Sequence, residues 1–291
     1  MCSVRTFQML PPRWAGYAGA YGIGGVVSPL FATVMMSRGV RWSWFYTIML
    51  ALSVANLVFP GWVFNNFQQN DITPSQQTET HSTNPSNDDD NSRTTQGSIL
   101  SMAIKNRTTL LGSLFIFAYQ GAEVSISGWV VSFLIAYRKS DPSHLGYVSA
   151  GFWAGITLGR FLLVYPSHQY GEKIAVNLMA VGAIAFQLMA WFIPNTVGDA
   201  VSVAILGVVL DAVYPCSMAV FVKLLPGKIQ IADLSFIGAV GSSGGAFFPF
   251  LTGLLAQNVG TMVLHPICIG LYGAMVTSWL CLPRILILEE L

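Results

Sequence analysis

Three charged side chains stand inside long apolar runs: Glu123 in FAYQGAEVSISGWVV, Arg160 in AGFWAGITLGRFLL and Asp211 in LGVVLDAVYPCSM. A charge within a membrane-length apolar segment is costly, so it faces a cavity or a partner. Tyr119, Glu123 and Ser127 recur at i, i+4 and i+8, which places them on one stripe of a helix with Gln120 beside it. That pattern suits the wall of a hydrated pathway, where Glu123 could hold a polar solute or carry a proton. The plainer alternative is a carboxylate paired to tie helices together. Asp211, followed by Tyr214 and Pro215, could line the same pathway, pair with Arg160, or be an unusual substitution.

Arg160 closes a ladder of Gly151, Gly155 and Gly159, whose four-residue spacing makes a smooth face for close helix contact. Together with the turn Gly171-Glu172-Lys173 it reads as a structural or gating element. Gly238, Gly241, Gly244, Gly245 and Pro249 in SFIGAVGSSGGAFFPFLTGLL favour tight packing and a flexible kink, and a moving gate would need the same residues. His81, His144, His168 and His265 do not cluster and are assigned no catalytic or ligand role. Cys2, Cys216, Cys268 and Cys281 form no CxxC pair and read as small core residues. The run Asp88-Asp89-Asp90 has no partner ligands and reads as solvated charge. There is no phosphate-loop, HExxH or GxSxG pattern, so no metal or cofactor is expected and an enzyme is disfavoured.

The elements that must position these residues are spanning helices. Only 9% of the chain is charged, against about 25% in soluble domains. With a mean hydropathy of +0.58, lipid must cover much of the surface. A net charge of +1 makes nucleic acid an unexpected partner. Eight segments are apolar over a membrane-spanning length: 14–36, 42–64, 109–137, 146–166, 174–194, 200–224, 231–256 and 263–282. The stretch 65–107 is almost devoid of large apolar residues and reads as a disordered linker, ending in a short surface helix at 98–105. It divides the spans two plus six.

An even number of spans leaves both termini on one side. That side holds Arg5, Arg13, Arg93, Lys105, Arg107, Lys173, Lys223, Lys228 and Arg284; the other holds only Arg38, Arg41, Arg138 and Lys139. The bias predicts cytoplasmic termini and a cytoplasmic linker, in the plasma membrane or an internal one. The Asn106-Arg107-Thr108 sequon then lies inside and stays unglycosylated.

The stretches YQGAEVSISGWVVSFLI, GYVSAGFWAGITLGRFLL, VYPCSMAVFVKLLP, SFIGAVGSSGGAFFPFLTGLLAQNVGT and LHPICIGLYGAM resemble the C-terminal half of a major facilitator transporter. They resemble the type called bypass-of-stop-codon proteins in fungi, distantly similar to fucose–proton symporters. GIGGVVSPLFATVMMSRGVRWSWFY resembles that family's fifth and sixth helices. The resemblance implies a partial, all-α, polytopic fold. Residues 1–64 would be a two-helix remnant of the N-terminal half, and 65–107 the linker. Residues 108–284 would be the six-helix C-terminal half, with 285–291 a cytoplasmic tail. It further implies a secondary transporter that moves a small solute by alternating access, with a sugar and a coupled proton suggested by analogy. Four upstream helices, or a partner supplying them, would be missing, as in a truncated gene model or splice form. The resemblance also implies a small residue, usually glycine, where Asp211 stands. The rival readings are a non-transporting regulatory remnant and a membrane-embedded enzyme.

Overall fold

A computed structural model describes residues 12–41, 43–64, 106–227 and 229–283. The expected linker with its acidic run and its 98–105 surface helix, and the C-terminal tail, lie outside the described residues. Among those described, all regular structure is helical: α1 (Pro12–Ser37), α2 (Ser43–Phe64), α3 (Arg107–Ala136), α4 (Pro142–Leu162), α5 (Val164–Tyr170), α6 (Glu172–Phe192), α7 (Thr196–Asp211), α8 (Val213–Leu224), α9 (Gln230–Val259) and α10 (Leu264–Leu280). A 3-10 turn, Thr261–Val263, leads into α10.

Local chemistry sets the boundaries. Asn106 caps α3, its side-chain oxygen accepting the Thr108 N–H at 3.0 Å, and Asn195 caps α7 by accepting that of Val197 at 3.0 Å. Two expected spans are each split into two helices. Pro215 has no N–H for the Asp211 carbonyl, and the helix breaks between Asp211 and Val213. Pro166 removes the donor for the Leu162 carbonyl in the same way, separating α4 from α5. Pro249 does not break its helix: α9 runs unbroken through it.

Among the described residues six segments are long and apolar enough to cross a membrane: 43–62, 107–136, 172–192, 196–224, 230–259 and 261–280. The other two expected spans, 14–36 and 146–166, are represented by α1 and by α4 with α5, without meeting that measure. Among the described residues of α1 only Ile23–Ser37 forms a shorter apolar helix, and α4 is diluted by four glycines and Arg160. The chain is an integral, multi-pass membrane protein, and its apolar side chains point outward accordingly. Ile174, Leu178 and Ile231 are exposed, as are Trp44, Leu57 and Trp62 of α2.

The chain divides into two units, 1–33 with 98–291, and 34–97, a boundary that falls inside α1. In the larger unit α3 is the central helix, packed on α9, α10 and α4, while α4 packs on α7 and α6 on α7 and α10. At the end where the linker joins α3, Phe115, Phe221 and Trp279 form an aromatic knot with ring centroids 4.8 to 6.1 Å apart. Cys216 and Cys268 are buried as expected of core residues; Cys281 departs from that reading and is exposed at the end of α10.

Candidate functional site

Glycines bring the charged residues together. A Cβ on Gly155 would collide with the Ala204 carbonyl oxygen, and one on Gly159 with that of Val208. Gly207 lies equally close to the Phe152 carbonyl, whereas Gly151 leaves ordinary contact distance to Ala204. The backbones of α4 and α7 therefore touch; the next residue after Gly159 is Arg160, and Asp211 stands one turn beyond Val208. The Arg160 Nε donates to Asp211 Oδ2 at 2.9 Å and its Nη2 to Oδ1 at 2.5 Å. Of the three roles open to Asp211 in the sequence, pairing with Arg160 is the one the geometry displays. The two-pronged fork holds both carboxylate oxygens and offsets the loss of water around a nearly fully buried carboxylate.

Glu123 sits nearby on α3 and is buried. Among the described residues it forms no ion pair; Tyr119 stands one turn away on the same helix. The Tyr119 ring lies 5.9 Å from that of Tyr214, centroid to centroid, which joins α3 to the break between α7 and α8. Tyr119, Glu123, Arg160, Asp211 and Tyr214 thus form one polar cluster, in which Tyr119, Glu123 and Asp211 are buried and Arg160 and Tyr214 partly so. Two members of the expected stripe stand apart. Ser127 donates to the Val124 carbonyl of its own helix at 3.1 Å, and Gln120 lies against Gly245 of α9.

The glycines of α9 divide in the same way. A Cβ on Gly241 would strike Ile116, and one on Gly244 the Phe117 carbonyl oxygen; Gly245 approaches Val124 at 3.2 Å. Gly238 faces open space, so the tight packing expected there is absent. The Pro249 carbonyl accepts the Trp129 indole N–H at 3.1 Å, fastening the proline turn to α3.

The turn before α6 makes a clasp at the linker end. Gly171 has φ +98°, a left-handed value that glycine adopts without strain. Glu172 then accepts from Lys223 of α8 at 2.5 Å, and the Lys173 ammonium donates to the Leu282 and Pro283 carbonyls at 3.0 and 2.9 Å. The Trp279 indole returns a bond to the Lys173 carbonyl at 3.0 Å.

Sequence reading missed several partners. Arg138, counted there only as a loop charge, donates Nε to Asp199 at 3.1 Å and Nη2 to the carbonyls of Ala190, Trp191 and Ile193 at 2.9 to 3.2 Å. Buried Thr109 donates to Asp233 at 2.9 Å, and Gln187 bonds His265 at 2.7 Å. The one available signal was that Asp199, Asp233 and Gln187 are polar residues at or near apolar runs. Among the described residues no group of acidic, histidine and cysteine side chains could hold a metal ion.

Comparison with known proteins places the chain in a family. Residues 10–249 match the model of the Major Facilitator Superfamily, and the chain belongs to that superfamily. It is 24% identical over 290 residues to Bypass of stop codon protein 6 of Saccharomyces cerevisiae, covering 91% of this chain and 56% of the relative. A Glucose/galactose transporter of Brucella abortus is 30% identical over 166 residues, 53% of this chain and 37% of that protein. Major facilitator superfamily domain-containing protein 4A of Danio rerio is 26% identical over 166 residues, 52% of this chain and 32% of the relative. The chain thus spans about half the length of the first of these relatives and less of the others.

Proposed function

We propose that this chain forms part of a secondary active transporter, in which the cluster around Glu123 contacts a small polar solute and carries the coupled proton. The observation that carries the reading is the buried Glu123 carboxylate in mid-span, which forms no ion pair among the described residues and shares its cluster with an arginine bound to Asp211. An unpaired acidic group in lipid is expensive and is retained where a solute or proton meets it. Tyr119 and Tyr214 add hydroxyl groups and flat apolar faces, a mixture that suits sugars. The likeness to a protein named as a glucose/galactose transporter supports a sugar as the first solute to try.

Alternating access needs a second half against which this one rocks. In the proposed arrangement eight helices cross the membrane, the first two belong to an N-terminal half, and the linker and termini are cytoplasmic. The clasp of Glu172, Lys173 and Lys223 then holds the cytoplasmic face of the six-helix half in one conformational state.

The test is uptake of labelled hexoses and other polar solutes into proteoliposomes containing a pH-sensitive dye. The chain is compared with a version extended by four upstream helices. The extended version is expected to move solute with protons, and Glu123→Gln to abolish the proton movement. If neither version moves solute and Glu123→Gln changes nothing, the transport reading fails and a non-transporting role takes its place.

A further inference from the structure

Eight buried side-chain polar atoms among the described residues make no hydrogen bond to another protein group, and half of them follow one line. They are the Tyr272 hydroxyl, His265 Nε2, Gln187 Oε1 and Asp199 Oδ1. Tyr272 and His265 are buried on the same face of α10, seven residues and so about 10 Å apart along the axis. Phe115 packs on Trp279 and Phe133 on His265, so α3 and α10 run antiparallel and Tyr272, midway between, lies level with Glu123. At the upper end His265 is bonded to Gln187 of α6 and walled by Phe133 and Trp191, whose ring centroids lie 4.4 and 6.1 Å away. Arg138 lies over the same Phe133 ring, binds the Trp191 carbonyl and holds Asp199 at the end of the bundle opposite the linker.

A buried polar atom left without a partner costs about 1–3 kcal/mol, and natural proteins leave very few of them. One such atom is tolerable; four in sequence along a seam are not. Gln187 and His265 bond each other, but His265 and Tyr272, about 10 Å apart along α10, are too far apart for a direct bond. The atoms left over can be satisfied together by something small that both donates and accepts. Water does both.

We propose that a short file of buried water runs along the inner face of α10, from the Glu123 level past Tyr272 and the Gln187–His265 pair to Asp199. In the transporter reading, on which this use of the file rests, it is the route by which Glu123 exchanges its proton with the side opposite the linker. Tyr272 and His265 are then positioning residues that hold the water in order.

The test is synchrotron hydroxyl-radical labelling of the purified chain in nanodiscs, where radicals form from water lying against a side chain. Tyr272 and His265 are expected to be oxidised several-fold faster than equally buried Trp279, after correction for intrinsic reactivity. Rates equal to that of Trp279 would falsify the file. The measurement needs no variant, so it does not depend on any mutant folding. In a second arm, Tyr272→Phe with unchanged helical content is expected to slow labelling at His265; an unchanged rate there removes Tyr272 from the file. The two proposals separate cleanly. A dry seam with proton-coupled uptake leaves the transport reading standing alone, and a labelled seam without uptake leaves the water alone.

Discussion

Two arginine–aspartate pairs in the six-helix unit look alike in composition and differ in everything else. Arg138 and Asp199 meet at the end opposite the linker, and the guanidinium also binds three carbonyls at the end of α6. The Ala190 and Trp191 carbonyls lack a donor within their own helix, because Pro194 has no N–H and the Asn195 N–H goes to Ile193, so the arginine completes a helix terminus as well as a charge pair. Arg160 and Asp211 meet next to the break between α7 and α8 and bind each other, on the cluster that Tyr119 and Tyr214 join. In the first pair the arginine's Nη2 is spent on fixed backbone. The second borders hydroxyl and carboxyl groups, which suits the end of the bundle to a rigid fastening and its middle to the charge exchange proposed above.

Removing the Arg138 side chain should have the largest effect. Arg138→Ala leaves Asp199 buried without its partner and the Ala190 and Trp191 carbonyls uncapped, and is expected to cost about 3–5 kcal/mol. Chemical unfolding in detergent checks this, and a loss under about 1 kcal/mol would remove the contrast.

Arg160→Ala should cost less, about 1–3 kcal/mol, because the Arg160 side chain is 29% exposed and water can reach the carboxylate it leaves. The double change Arg160→Met with Asp211→Leu should recover most of that stability, since no unpaired charge then remains. Proton-coupled uptake should not recover with it. A double variant that transports normally would make the middle pair as purely structural as the outer one.

The smallest effect belongs to Lys223, paired to Glu172 with its side chain half exposed. Lys223→Ala should change stability by no more than about 1 kcal/mol, with the difference shrinking in high salt. A larger, salt-insensitive loss would show that the clasp at the linker end is as rigid as the far end.

Much of the scaffold was legible before any coordinates. Apolar length marked the helices because lipid cannot satisfy a backbone that lacks internal hydrogen bonds. The ladder of Gly155 and Gly159 announced a close contact because only hydrogen at Cα allows two backbones to touch. Glu123, Arg160 and Asp211 were conspicuous because charge is rare in such segments. Less was legible where a residue could be satisfied in several ways. Ser127 had the right spacing for the stripe and spent its hydroxyl on its own helix; Gly238 had the spacing of its neighbours and met nothing. His265 stood apart from the other histidines in the chain, yet its partner was a glutamine 78 residues away.

The sequence by itself determined that this chain lies in a membrane, where its helices run, and which few side chains are too costly to be idle. Those are properties of single residues and of short spacings, set by transfer from water to lipid and by the pitch of one helix. Only the tertiary structure decided that Asp211 answers Arg160, that Arg138 closes the end of α6, and that Glu123 forms no ion pair among the described residues. Such outcomes depend on which helices abut and on how close their backbones come. A pairing energy exists only once two distant segments have been brought within about 4 Å of each other.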